Sequence, residues 1–181
     1  MNKTKIAVFG TGCFWCSEAI FKQLCGVISV TPGYAGGTTP GPTYEQVCTG
    51  LTGHAEMAQI EFDPGVISYE DLLEIFLNVH DPTSLNRQGN DVGTQYRSII
   101  LTTFQTQKEI AKKSVKHLEE SHQFTQPVVT VIEPLRHFYR AEKSHQDYYA
   151  NHSDQSYCRL VISPKLQHLR QKYAAKLKPV E

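Results

Sequence analysis

Ile6-Ala7-Val8-Phe9-Gly10-Thr11-Gly12-Cys13-Phe14-Trp15-Cys16-Ser17-Glu18 is the stretch from which the fold can be read. Four apolar residues make a short buried strand, and glycines then turn the chain. A helix follows on which Cys16, Ile20 and Leu24 share a face at i, i+4, i+8, with Gly26 as its C-terminal glycine. A thiol at the start of that helix meets unpaired backbone N–H groups and the positive end of the macrodipole, which favours the thiolate. Cys13 is therefore a nucleophile by position. Phe14 and the single tryptophan, Trp15, would line an apolar pocket beside it, able to take a small apolar substituent.

Outward from this stretch the pattern is mixed. Ala55 to Phe62 alternates as a strand, and Ser68 with Asp71 caps a helix whose Leu72, Ile75, Phe76 and Val79 fall at i, i+3, i+4, i+7. Ser98 to Leu101 reads as a strand, Thr106 and Glu109 as a capping box opening a helix with Ala111, Val115 and Leu118 inward. Residues 127–132 and 158–162 read as further strands. Ser163-Pro164 reads as an N-cap and a first-turn proline, opening a last helix with Leu166, Leu169, Tyr173 and Leu177 inward. All twelve glycines lie at or before Gly93, and six of them crowd with Pro32, Pro40 and Pro42 into residues 32–53, which predicts loop and a site in the first half. With no repeat or linker, one catalytic domain over 1–181 is expected, mixed α and β in class.

Composition removes other classes. The 181 residues carry 18 basic and 18 acidic side chains, so net charge makes no case for nucleic acid. Leu, Ile, Val and Phe are 45 of 181, enough for a folded core. The opening apolar run, Ile6 to Phe9, is too short for a signal-peptide core or a membrane span, so a soluble cytoplasmic protein without membrane partners is expected. Five cysteines, at 13, 16, 25, 48 and 158, fit free thiols rather than a disulfide framework. Cys25 and Cys48 are expected in the packed interior.

A second chemical signal lies in the strand Ala55 to Phe62. Period-two alternation places Glu56 with Ala58, Ile60 and Phe62 on the apolar face. Burial raises a carboxyl pKa and keeps the proton available near neutral pH, which makes Glu56 a general acid. A thiolate facing a protonated carboxyl suits a substrate whose oxygen must collect a proton as sulfur is attacked. A sulfoxide is such a substrate: attack by Cys13 releases a thioether and leaves a sulfenic acid, which a second thiol, Cys16 or Cys158, must condense with. No cofactor or metal enters this scheme. Two rivals use the same cysteines. A structural zinc site needs a second Cys-x-x-Cys or a His-x-x-x-His pair, which is absent from the sequence. A thioredoxin-type thiol–disulfide oxidoreductase would share Cys13 and Cys16 but has no use for a buried Glu56.

The residues also resemble a family. Gly12-Cys13-Phe14-Trp15, Tyr34-Ala35-Gly36-Gly37, Pro42-Thr43-Tyr44, Val47-Cys48, Thr52-Gly53-His54-Ala55-Glu56, His80-Asp81-Pro82 and Gly89 to Ser98 form an ordered set similar to peptide methionine sulfoxide reductase A. The resemblance implies reduction of methionine S-sulfoxide, free or in oxidised proteins under repair, with thioredoxin as reductant. It implies a two-layer α+β roll with a mixed sheet, ferredoxin-like, with long coil segments. It also implies that Cys13 attacks, that Phe14 and Trp15 hold the methyl group, and that Glu56 gives the proton. Tyr44 and Tyr96 would bond the sulfoxide oxygen, Asp91 would position substrate, and Cys158 would resolve. Cys16 stands where many members have glycine, and residues 151–158 lack the usual proline and glycine before the cysteine. Cys16 is thus a second candidate, resolving first or passing the disulfide on. His54 and His80 are assigned to structure.

Overall fold

The computed structural model describes residues 4–179, so residues 1–3 and 180–181 of the expected single domain lie outside the described residues. In chain order the elements are β1 (Lys5–Thr11), α1 (Phe14–Phe21), β2 (Val27–Ala35), α2 (Tyr44–Cys48), β3 (Ala55–Phe62) and α3 (Tyr69–Val79). A small hairpin of β4 (Arg87–Gln88) and β5 (Asp91–Val92) follows. Then come β6 (Ser98–Thr102), α4 (Gln105–Glu120), β7 (Val131–Pro134), β8 (Phe138–Arg140), α5 (Tyr148–Asn151) and α6 (Ser163–Lys172). Six strands form one sheet in the order β7-β6-β1-β3-β2-β8, antiparallel except for β6 with β7, so the class is α+β with a mixed sheet.

The pleat of β1 explains the layering. Ala7 and Phe9 point to one face, where α1, α3, α4 and α6 contribute Ile20, Leu72, Leu118 and Leu166 to the larger core. Val8 points to the other, packing with Ala55, Met57, Ile99 and Leu101 under Leu135 and Phe138. Both faces are covered, so β3 is buried on both sides rather than on the one its alternation implied. No helix of the described residues is long and apolar enough to cross a membrane.

Local signals hold where they are self-contained. The Ser68 capping box is formed in both directions, and β3 spans Ala55–Phe62 as expected. Several others are corrected. The stretch read as loop contains β2, because Pro32 and Gly33 sit inside the strand; a Cβ on Gly33 would meet the Tyr139 carbonyl at 2.4 Å, so glycine is what lets β8 close in. Helix α1 stops at Phe21, before Leu24 and Gly26, although Leu24 is still fully buried. Helix α4 starts at Gln105 without a Thr106 cap; instead the Gln107 side chain accepts from the Thr103 N–H at 2.9 Å. The strand expected over 127–132 is displaced to Val131–Pro134. Residues Cys158–Ile162, read as a strand, form a π-helical turn running into α6, so Ser163 is no N-cap and its hydroxyl donates to the Cys158 carbonyl at 3.0 Å. The last helix ends at Lys172, and Leu177 instead bridges to Leu24.

One buried carboxylate ties the two ends of the fold together. Glu18 of α1 is 2% exposed, pairs with Lys22 at 2.7 Å and accepts from the Asp147 backbone N–H at 2.9 Å. Asp147 has a left-handed backbone at φ 56, which turns the chain into α5 over the start of α1. Glu18→Ala is expected to cost about 1–3 kcal/mol, because the Asp147 N–H loses its acceptor. Differential scanning calorimetry should then record a Tm lower by several degrees.

Candidate active site

Cys13 is the N-cap of α1, with extended backbone at φ −67° and ψ 126°. Gly12 before it has φ 99° and lies against Gln88, whose Cβ would be 2.6 Å from an added side chain, so the turn that delivers the thiol demands glycine. Glu56 comes from β3, and its Oε2 accepts from the Phe14 N–H at 2.9 Å. The first orphan N–H of the helix thus holds the carboxyl beside the thiol. Cys13 and Glu56, 6% and 2% exposed, sit at the floor of a cavity of about 200 Å³. Phe14, Trp15, Tyr44, Asp91, Tyr96 and Tyr157 make its walls.

The walls are held in layers. Phe14 packs on Tyr34 and Tyr44 at ring distances of 5.7 and 6.5 Å. Tyr34 donates to Glu142 at 2.7 Å, and the same carboxylate accepts from the Tyr44 N–H at 2.8 Å. Trp15 stacks on Tyr148 at 3.7 Å, meets Tyr157 edge-on at 5.7 Å, and donates its indole N–H to His145 Nδ1 at 3.2 Å. Asp91 accepts from the Tyr157 hydroxyl at 2.7 Å. Every expected pocket residue is therefore brought together. Tyr34, Glu142, His145, Tyr148 and Tyr157 were given no role, because only packing brings their segments to the cysteine; the available signals were Tyr34, inside the Tyr34-Ala35-Gly36-Gly37 motif, and Tyr157, adjacent to Cys158.

Burial sets the protonation. It pushes the Glu56 carboxyl well above the usual carboxylate range, with the Cys13 charge adding to the rise and the Phe14 N–H opposing it. Burial likewise raises the Cys13 thiol well above its ordinary value, and the hydrogen bond with Cys16 adds to this, so the helix start does not leave a free thiolate there as the sequence suggested. The hydrogen bond from Cys13 lowers Cys16 instead, against its own burial. The Tyr157 hydroxyl hydrogen-bonds both sulfurs and lowers each of them. Burial also raises Tyr44 and Tyr96, keeping both hydroxyls as donors.

The other thiols are reduced too. Cys158 is fully buried in the same core cluster as Cys13 and Cys16, and burial and the Cys13 charge raise its thiol. Cys25 is half-buried and donates to the Leu177 carbonyl, whereas Cys48 is exposed beside Tyr44, so the interior expected for both is corrected. His80 is buried, pulled down to about 4, and bonded to the Phe76 carbonyl and the Ser98 hydroxyl. His54 bridges the Gly37 N–H and the Thr39 carbonyl.

An acid-bearing cavity with a thiol pair at a helix start, on a mixed sheet with helices on one face, defines a thiol-dependent oxidoreductase. The family model for peptide methionine sulfoxide reductase matches residues 5–177. The peptide methionine sulfoxide reductase MsrA of Saccharolobus solfataricus is 53% identical over 174 residues, covering 96% of this chain and 97% of that one. The chain belongs to the peptide methionine sulfoxide reductase family. Among solved structures, reduced Mxr1 from Saccharomyces cerevisiae has a TM-score of 0.78 at 32% identity, over 86% of this chain and 90% of that one. Mxr1 in complex with Trx2 shares the fold, with a TM-score of 0.56 at 22% identity over 81% and 85% of the two chains.

Proposed function

We propose that this chain reduces methionine S-sulfoxide, free or within oxidised proteins, and so repairs them. The observation that carries the reading is the Glu56 carboxyl, buried, raised by that burial and held on the Phe14 N–H beside the Cys13 thiol in one cavity. The substrate methyl group packs on Phe14 and Trp15, and the Tyr44 and Tyr96 hydroxyls donate to the sulfoxide oxygen. Asp91, through Tyr157, shapes the polar side of the cavity. Cys13 gives up its proton as its sulfur bonds to the substrate sulfur, while Glu56 protonates the sulfoxide oxygen; that oxygen then passes as hydroxyl to the Cys13 sulfur as the S–O bond and the transient S–S bond break, so methionine leaves, Cys13 becomes a sulfenic acid, and the thiol proton restores the Glu56 acid. Condensation with a second thiol releases water and forms a disulfide, which a dithiol reductant of the thioredoxin kind returns to two thiols. The Trx2 complex of Mxr1 supports that choice of reductant.

Cys158 is the resolving thiol in this reading, and Cys16, hydrogen-bonded to Cys13, either resolves first or passes the disulfide on. In this reading the chain is a single catalytic domain over 1–181 that works in the cytoplasm without a cofactor. The strand order β6-β1-β3-β2 with α1 and α3 crossing one face supports a ferredoxin-like description of its centre. A plain thiol–disulfide oxidoreductase leaves the buried Glu56 without a task.

The resolution step has a direct test. Cys158→Ser is expected to release one equivalent of methionine per enzyme from a small sulfoxide, yet to fail in steady state with a thioredoxin system. Full recycling by Cys158→Ser, together with its loss in Cys16→Ser, would assign resolution to Cys16.

A further inference from the structure

Beside the chemical cavity lies a second depression of about 290 Å³, and the two share a wall made of Asp91 and Tyr157. Gln88, Gly89 and Asn90 at the turn of the β4–β5 hairpin form one side of it, and Leu160, Val161 and Lys165 form the other. None of these residues lines the chemical cavity, and Lys165 reaches it only as a charge that helps to lower the Cys16 thiol. A free methionine sulfoxide ends at the chemical cavity, whereas the same residue inside a polypeptide carries its neighbours across the shared wall.

Two features give this groove a chemical preference. Leu160 is 76% exposed, a large apolar side chain left in solvent at the lip beside Val161. Lys165 lines the groove but not the chemical cavity, and among the described residues its ammonium makes no ion pair. The acidic residue in the groove lining, Asp91, accepts from the Tyr157 hydroxyl. An apolar lip followed by an unpaired cation fits a side chain with an aliphatic stem and a terminal carboxylate.

Resting on the sulfoxide reading above, we propose that the groove between the β4–β5 hairpin and the Cys158–Ile162 turn binds the residue flanking an oxidised methionine in a polypeptide and selects glutamate there. The stem lies on Leu160 and Val161, and the carboxylate pairs with Lys165. The enzyme thereby favours oxidised methionines in acidic stretches over those in basic ones.

The test compares two pentapeptides, Gly-Glu-Met(O)-Glu-Gly and Gly-Lys-Met(O)-Lys-Gly, each with the S-sulfoxide, with free methionine sulfoxide alongside and dithiothreitol as the reductant. The readout is the ratio of kcat/KM for the two peptides, which cancels any common loss of folding or chemistry. In the native chain the ratio is expected to favour the glutamate peptide by about three- to fivefold, the range of a single partly exposed ion pair. Lys165→Glu should bring the ratio to one or below, and Leu160→Asp should lower it as well. A native ratio near one, or a ratio that Lys165→Glu leaves unchanged, overturns the proposal. So does a ratio near one joined to a raised KM for thioredoxin in Lys165→Glu, which would make the groove a reductant site. Absence of turnover with all three substrates would instead count against the sulfoxide reading.

Discussion

Cys13→Ser is expected to release no methionine in a single turnover without reductant, and to lose on the order of 10⁴-fold or more of its rate with a thioredoxin system. A serine oxygen at this position is neither ionised nor soft enough to attack sulfur, and it cannot carry the oxygen away as a sulfenic acid. The fold should survive, since serine is a favoured N-cap residue and Cys13 makes no side-chain cap of its own. Unchanged or higher Tm with complete loss of turnover is therefore the expected pair of results. Stoichiometric methionine from Cys13→Ser would mean that another thiol, Cys16 first, is the attacking group.

Glu56→Gln should lower kcat by about 10²–10⁴-fold, because the amide keeps the acceptor for the Phe14 N–H but has no proton to give. The pH dependence carries the sign. The active form is the protonated carboxyl, so proton delivery in the native chain holds below the raised Glu56 pKa and falls as pH climbs through it, whereas the residual rate of Glu56→Gln lacks that limb. The same shift acts on folding. A carboxyl held above its unfolded value binds its proton more tightly in the native state, so its stabilising contribution is complete below about 4.5 and is lost as pH rises toward the folded pKa. Glu56→Gln is accordingly expected to be more stable than the native chain at pH 7 while being nearly inactive, measurable as a higher Tm that converges with the native value in acid. A variant that is both inactive and less stable would point to a structural rather than a proton-donating carboxyl.

The parts of this molecule that were legible in the amino-acid sequence are those whose cause is local. The Ser68 box closes within four residues, the Ala55–Phe62 alternation needs only the pleat, and Cys13 lies at a helix start because Gly12, at φ 99°, turns the chain out of β1. What could not be read depends on neighbours that the chain supplies later. Pro32 and Gly33 resemble a loop until β8 arrives from beyond residue 137 to use the space that glycine leaves. Cys158 to Ile162 has strand-like composition, but it continues into α6 and packs on α1, and a helical turn serves that contact better than an isolated strand without a sheet edge to join. The site divides in the same way. Its nucleophile and acid come from local pattern, whereas His145 reaches the Trp15 indole across 130 residues of chain. The thiolate expected at Cys13 failed because the macrodipole argument counts a helix end and not the depth at which it is buried.

The Glu18 clasp means that the C-terminal third cannot be trimmed as an appendage. A protease cut anywhere between residues 141 and 147 would release from α1 the segment that carries Tyr148, His145 or both, uncover the indole they shield, and strand an acidic side chain in the interior. Such nicked protein should therefore lose its native intrinsic fluorescence and its redox chemistry in one step, with no active, shortened form accumulating on the way.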